Sequence, residues 1–215
     1  MAFVPGLLCT RTKITDPKVT DEAYNDWYTN KHLVDTVNAG LAAVGARYKN
    51  VNGNAEWPYL ALYRLQDIRL LANPEFIATI PNDSPLEWGG AVPLNSVVAM
   101  DIKGYVPVGV RESQKDGVVV DGIPKVVVTQ EWSTTESSPV DFQDSQLEVI
   151  KNSKGYRRSF LVREAQPSKD GKTKLLTIHE LDEIPAVETK DSQVWKHISD
   201  YGTGLYRIEP KKGRR

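Results

Sequence analysis

Cysteine occurs once in the 215-residue chain, at Cys9, which excludes an intramolecular disulfide framework. Histidine is nearly as scarce, and His32, His179 and His197 lack the compact Cys/His spacing of a structural zinc site. An excess of positive charge is missing too: 27 basic against 28 acidic residues leave a formal net charge of −1, without the concentrated basic face that a nucleic-acid backbone requires. There is no Gly-x-Gly-x-x-Gly segment for a dinucleotide and no Gly-Lys-Ser/Thr loop for a nucleotide. No window approaches a membrane span, and the apolar stretch over residues 3–8 lacks the charged start and long hydrophobic run of a secretory leader. The basic end Lys211-Lys212-Gly213-Arg214-Arg215 reads as a solvated tail. These absences predict a soluble, cytoplasmic protein that works with no metal, no cofactor, no nucleic acid and no membrane.

What is present is an ordinary globular composition, 40% hydrophobic and 26% charged, with length for one large domain or two of about 100 residues. One pattern is stated twice. Gly45-Ala46-Arg47-Tyr48 followed by Leu60 to Asp67 returns as Gly155-Tyr156-Arg157-Arg158 followed by Leu176 to Glu183. In the first statement, apolar alternation and turn residues predict strands over 7–13, 43–51, 59–65 and 96–108. A helix begins at a Thr20 cap with Asp21 and Glu22 in its first turn and stops at Gly40, and a shorter helix over 68–80 is interrupted by Pro74. The second statement predicts strands over 125–132, 156–163, 174–181 and 205–208, with helices over 140–150 and 191–197. The order strand, helix, strand, strand, helix, strand is that of a ferredoxin-like unit, an α+β architecture. The expected organisation is a first unit over 1–110, a linker over 111–124 and a degenerate second unit over 125–215.

Trp27-Tyr28-Thr29-Asn30-Lys31-His32, with the two Gly-x-Arg strands and their Leu-rich partners, resembles the dimeric α/β-barrel superfamily, and within it the EthD-like proteins of fungi. The resemblance implies two ferredoxin-like units, four-stranded sheets with helices on one face, packed sheet to sheet as an intramolecular barrel, either monomeric or a weak homodimer. The matching helix of the second half, 140–150, has no histidine, so one pocket at most is expected to carry the family chemistry.

Tyr24, Tyr28 and His32 fall at i, i+4 and i+8 and line one side of the first helix. A histidine that titrates near neutrality and a tyrosine that donates to a developing enolate or phenolate suit proton transfer beside a carbonyl. On a helical wheel this stripe lies roughly 100 to 140 degrees from the apolar stripe of Ala23, Trp27 and Val34, so it can equally face water. His179 takes the strand position that Tyr63 holds in the first copy, and it looks either into the same cavity or into the core. His197 reads as a surface residue. Trp57, Trp88, Trp132 and Trp195 sit in loops and at element ends, where large rings can wall a cleft, and the 85–90 segment around Trp88 reads as a lid. Cys9 has only Arg11 as a cationic neighbour in sequence, and no nucleophilic cysteine or serine is indicated.

The residues and the resemblance together predict a cofactor-free enzyme on a small hydrophobic, aromatic or polyketide-like metabolite, a lyase or isomerase of secondary metabolism performing cyclisation, decarboxylation or rearrangement. His32, Tyr28 and His179 are the expected catalytic groups, and Tyr24, Trp27, Tyr63, Trp88 and Trp132 the expected substrate contacts. The rivals are a non-catalytic small-molecule-binding or stress-response protein, and an oxygenase, since related barrels host haem or cofactor-independent oxygenation.

Overall fold

Alternation along the strands predicts two covered faces, and a closed barrel supplies both. The computed structural model describes residues 3–81, 85, 88, 93–112, 122–135, 144–166, 170–186 and 192–202, with the backbone alone for 144–147. Eight antiparallel strands form the barrel: β1 (Gly6–Ile14), β2 (Ala42–Asn50), β3 (Tyr59–Leu65), β4 (Val98–Glu112), β5 (Val126–Thr134), β6 (Tyr156–Glu164), β7 (Thr173–Leu181) and β8 (Ser192–Gly202). Their order around the barrel is β1-β3-β2-β8-β5-β7-β6-β4. Each half therefore runs fourth, first, third, second. The halves join where β2 pairs with β8 and β4 pairs with β6.

One residue set fills the lumen and another faces outward. Leu7, Cys9, Leu60, Leu62, Phe160 and Ile178 meet inside, and Trp195 donates its indole N–H to Thr129 at 2.8 Å. Burial pushes the Cys9 thiol up to about 12, so it is an inert core group. Arg158 and Glu180 form a buried ion pair at 2.6 Å. Outward, Leu8, Ala61, Tyr63 and Leu65 pack under the helices of the first half.

Helix α1 (Asp21–Trp27) starts at Thr20, whose hydroxyl accepts from the Ala23 amide at 3.2 Å, and α2 (Leu33–Asn38) ends before Gly40 at φ +82°. Pro74 opens a short helix, α3 (Pro74–Ile77), capped by Asn73 and preceded by a 3₁₀ turn over Ile68–Ala72. The expected helix over 68–80 is thus two short pieces. In the second half α4 (Asp144–Lys151) overlaps the expected 140–150 and runs one residue past it; the first four expected residues fall outside the described set.

Residues 191–197 correct the sequence reading. Their polar run suggests a short helix, yet 192–202 form β8, laddered to β2 on one side and β5 on the other. Trp195 faces the lumen and Val194 packs outside against Val126 and Ile150, a period-two burial that overrides local polarity. Strand β4 runs to Glu112 and takes the first residues of the expected linker; 113–121 and the expected strand over 205–208 lie outside the described residues. Among the described residues no helix is long and apolar enough to cross a membrane.

Gly45 lies on β2 beneath the helices. A Cβ there would sit 2.6 Å from Leu33 Cδ1 and 2.8 Å from Tyr63 Cδ1. Gly45→Val is expected to lower stability by about 1–3 kcal/mol through overpacking. Gly53→Ala, in open space, should stay within about 0.5 kcal/mol; urea midpoints compare the two.

Candidate functional site

The helix that carries the candidate residues is not a regular α-helix. Between α1 and α2, Tyr28–His32 forms a π-turn in which the Leu33 amide reaches back to the Tyr28 carbonyl. Such turns insert one residue into the helical ladder and recur at functional sites. Here the turn begins at Tyr28 and ends at His32.

The tyrosine stripe faces the barrel, not water. Tyr24 and Tyr28 are 0% and 2% exposed, whereas Ala23 and Val34 of the supposed core stripe are only half-buried. The wheel misleads because tyrosine rings pack well against a sheet when their hydroxyls find partners. Tyr24 donates to Thr12 Oγ1 at 2.7 Å, and the Tyr28 and Tyr63 hydroxyls share a hydrogen bond of 2.9 Å. Thr36, whose own hydroxyl donates to the His32 carbonyl at 2.7 Å, is a second polar neighbour of Tyr63. The His32 ring stacks on Trp27 at 5.1 Å and meets Tyr28 edge-on at 4.8 Å.

These groups border a cavity of about 530 Å³ between the helices and the outer face of the barrel. Its polar lining comes from Tyr28, Tyr63, His32 and Thr36, with Thr10 beside Ile102 on the barrel wall. The remainder is aliphatic: Leu8 from β1, Met100 and Ile102 from β4, Leu41, Leu94, Leu71 and Ile77 from the two short helical pieces, and Ile80 just beyond them. Ile77 and Ile102, 37% and 56% exposed, mark an apolar mouth.

Burial pushes the His32 imidazole down to about 4, opposed by a hydrogen bond to the Pro81 backbone, so the ring is neutral near pH 7. The nitrogen facing the Pro81 carbonyl holds the proton, and buried Nδ1 is left with no partner among the described residues. Burial raises the Tyr28 and Tyr63 phenols above their usual range, so both stay protonated as donors.

The other expected site residues lie elsewhere. Trp27 and Tyr24 back the cavity without lining it, and Trp88, 4% exposed, packs edge-on against Trp27 at 5.3 Å. Of the expected lid, only Pro85 and Trp88 fall within the described residues. Trp132 donates to Thr177 Oγ1 at 3.2 Å beside a separate cavity of about 220 Å³ near Lys103 and Glu131. His179 does not share the Tyr28/His32 cavity. It lies on β7 of the second half, where Nδ1 meets Ser159 Oγ at 2.6 Å and Ser159 meets the Tyr156 hydroxyl at 2.8 Å. His197 is on β8 beside Asp200 at 3.1 Å, with its ring edge-on to Tyr48. Sequence reasoning missed Thr10, Thr36, Met100 and Ile102, which become neighbours only when β1, β4 and the helix assemble.

Among the described residues no group of three or more His, Cys, Asp or Glu side chains is placed to hold a metal.

No family model matches the chain. It is 40% identical over 232 residues to core atranone cluster (CAC) protein 1 of Stachybotrys chlorohalonatus (strain IBT 40285), across 98% of this chain and 97% of that protein. The chain belongs to that protein's family. Among solved structures, this member of the core atranone cluster protein 1 family shares its fold with an anthrone oxidase-like protein, at a TM-score of 0.54 and 12% identity over 97% and 96% of the two chains. A chlorite dismutase-type protein aligns at 0.50 and 10% identity over 92% and 96%. The architecture is thus a closed antiparallel barrel similar to dimeric α/β-barrel folds.

Buried neutral histidines make stability depend on acid. The folded His179 ring, pushed down to about 4 by burial, binds its proton later than the unfolded ring near 6.5. Its contribution is complete above pH ~6.5 and falls away as the pH drops toward ~4, by roughly 2–4 kcal/mol in total. Urea unfolding across that window should show a shallower pH slope for His179→Gln than for the natural chain.

Proposed function

We propose that the chain is an enzyme of fungal secondary metabolism that removes a proton from a small hydrophobic metabolite, alongside a carbonyl or from a phenol or enol. The observation that carries this reading is the pairing of a neutral His32, its Nδ1 without a partner, with the Tyr28/Tyr63 hydroxyl pair in the polar lining of an otherwise aliphatic cavity. The name of the family relative, a core atranone cluster protein, supports the metabolic setting. The repeated strand order supports reading the chain as two ferredoxin-like units in tandem, and the Trp27-Tyr28-x-x-x-His32 helix supports an EthD-like character.

Substrate enters past Ile77 and Ile102 with its apolar body along Leu8, Leu71 and Met100 and its carbonyl or hydroxyl oxygen toward Tyr28 and Tyr63. Nδ1 of His32 accepts the proton. The anion left on the substrate takes hydrogen bonds from the tyrosine hydroxyls, which are fixed before the charge develops. The imidazolium and the anion form together in one water-poor space, and their attraction offsets the low basicity of the buried ring. Return of the proton to another atom completes an isomerisation. Ring closure or loss of carbon dioxide from the same anion gives a cyclase or a decarboxylase.

The same anion is also what dioxygen would attack, and the oxygenase reading is supported to a similar degree by the anthrone oxidase-like fold. Product formation from a panel of apolar enolisable and phenolic metabolites, followed by mass spectrometry with and without oxygen, separates the two. Conversion unchanged without oxygen supports the lyase or isomerase, and conversion lost without it supports the oxygenase. Binding of several panel members with no turnover makes the protein a carrier and overturns both.

On a converted substrate, His32→Gln is expected to lower kcat by about 10²–10⁴-fold with binding retained. Since His32 is neutral above about 4, kcat/KM should fall only as the pH drops through that value and stay level toward neutrality; a rate limb near pH 6.5 would contradict the assignment.

A further inference from the structure

Arg47 is 1% exposed, on the outer face of β2 directly beneath the candidate site. Its guanidinium lies 4.1 Å from the centroid of the Tyr28 ring, 5.4 Å from that of Tyr24 and 5.7 Å from that of Tyr59. Among the described residues its hydrogen bonds go to neutral acceptors: Nη1 donates to the Asn25 carbonyl and to Thr29 Oγ1, both at 3.2 Å, Nη2 to Asn25 Oδ1 at 3.0 Å, and the Tyr24 hydroxyl is a further neighbour. Among the described residues it has no ion pair. Asp21, at the exposed start of α1, is engaged by the Tyr59 hydroxyl and by Lys49 instead. Across the strand edges stand Ala61 on β3 and Ser199 on β8, neither of them charged.

The second Gly-x-Arg of the sequence offers a contrast, although in the strand ladder it is Leu161, opposite Thr177, that stands where Arg47 stands opposite Ala61. Arg157, which ends the second Gly-x-Arg, donates Nε to Asp182 at 2.9 Å and is a neutralised ion pair. A buried cation without a counter-charge is unfavourable unless something else compensates it. Three aromatic faces compensate in part.

We propose that Arg47 is a positioning residue that supplies a fixed positive charge behind the Tyr28/Tyr63 hydroxyl pair, so that an anion formed in the cavity is favoured by a field that no carboxylate among the described residues cancels. The inference rests on the reading of the cavity as a substrate site and adds the source of its preference for negative charge. The guanidinium does not line the cavity and acts through Tyr28, whose ring it underlies and whose hydroxyl meets Tyr63. The same positive charge favours ionisation of Tyr24, Tyr28 and Tyr63 and disfavours protonation of His32, so all the titratable groups of the site feel it in one direction.

The test uses 4-nitrophenol, whose coloured anion reports its own ionisation when bound to the full chain. The natural protein should bind the anion in preference to the neutral phenol, moving the bound midpoint below the free one by about one pH unit, a tenfold preference. Arg47→Gln should abolish that shift and Arg47→Lys should keep part of it, with circular dichroism confirming that each is folded. A midpoint at or above the free value in the natural protein overturns the proposal whether or not either variant folds, as does an equal shift in a folded Arg47→Gln protein. Ile102→Trp, at the cavity mouth, separates the two levels of the argument. If it leaves nitrophenol affinity unchanged, or if nitrophenol does not bind, the cavity reading fails and this proposal with it. If it weakens binding while Arg47→Gln leaves the midpoint unmoved, only the role of Arg47 is lost.

Discussion

Leu33 and Tyr63 occupy the space that a side chain at position 45 would need, and this close approach sets how deeply the first helix can lie on the barrel. With the helix seated there, Tyr28 reaches the Tyr63 hydroxyl, the Tyr28 ring settles over Arg47, and the π-turn ends with His32 at the edge of the cavity. A barrel closed on both edges makes β3 a rigid platform, since each of its sides is laddered to a neighbour. The site is therefore built on fixed strands and one irregular helical turn, a favourable basis for hydrogen-bond donors aimed at a developing charge.

The two halves share a strand order but not a chemistry. Where the first places Gly45 beside Tyr63, the second places Ser159 beside His179, joined by a hydrogen bond of 2.6 Å and continued to Tyr156. Among the described residues the first half leaves Arg47 without a carboxylate and His32 Nδ1 without a hydrogen-bond partner, while Arg157 of the second half meets Asp182.

Sequence patterning disclosed seven of the eight strands because their alternation survives in local composition; β3 appears with its expected bounds, 59–65. It failed at β8, whose identity depends on two ladders supplied by distant residues. Within the site, Tyr28 and His32 were visible through their helical spacing and the family resemblance. Their direction was not, because a wheel built on a regular α-helix cannot anticipate the π-turn or the partner hydroxyls of Thr12 and Tyr63. His179 was misplaced for a related reason. It was matched to Tyr63 by the sequence repeat, and it lies on β7 in the other half of the wall, paired with Ser159 on β6.

Nuclear magnetic resonance of histidine-labelled protein, titrated with an apolar phenol or cyclic ketone, tests the proposal that reactivity resides between the first helix and the barrel wall. The ring resonances of His32 should move with ligand while those of His179 and His197 stay in place. Ligand-dependent movement of His179 with a silent His32 would contradict it.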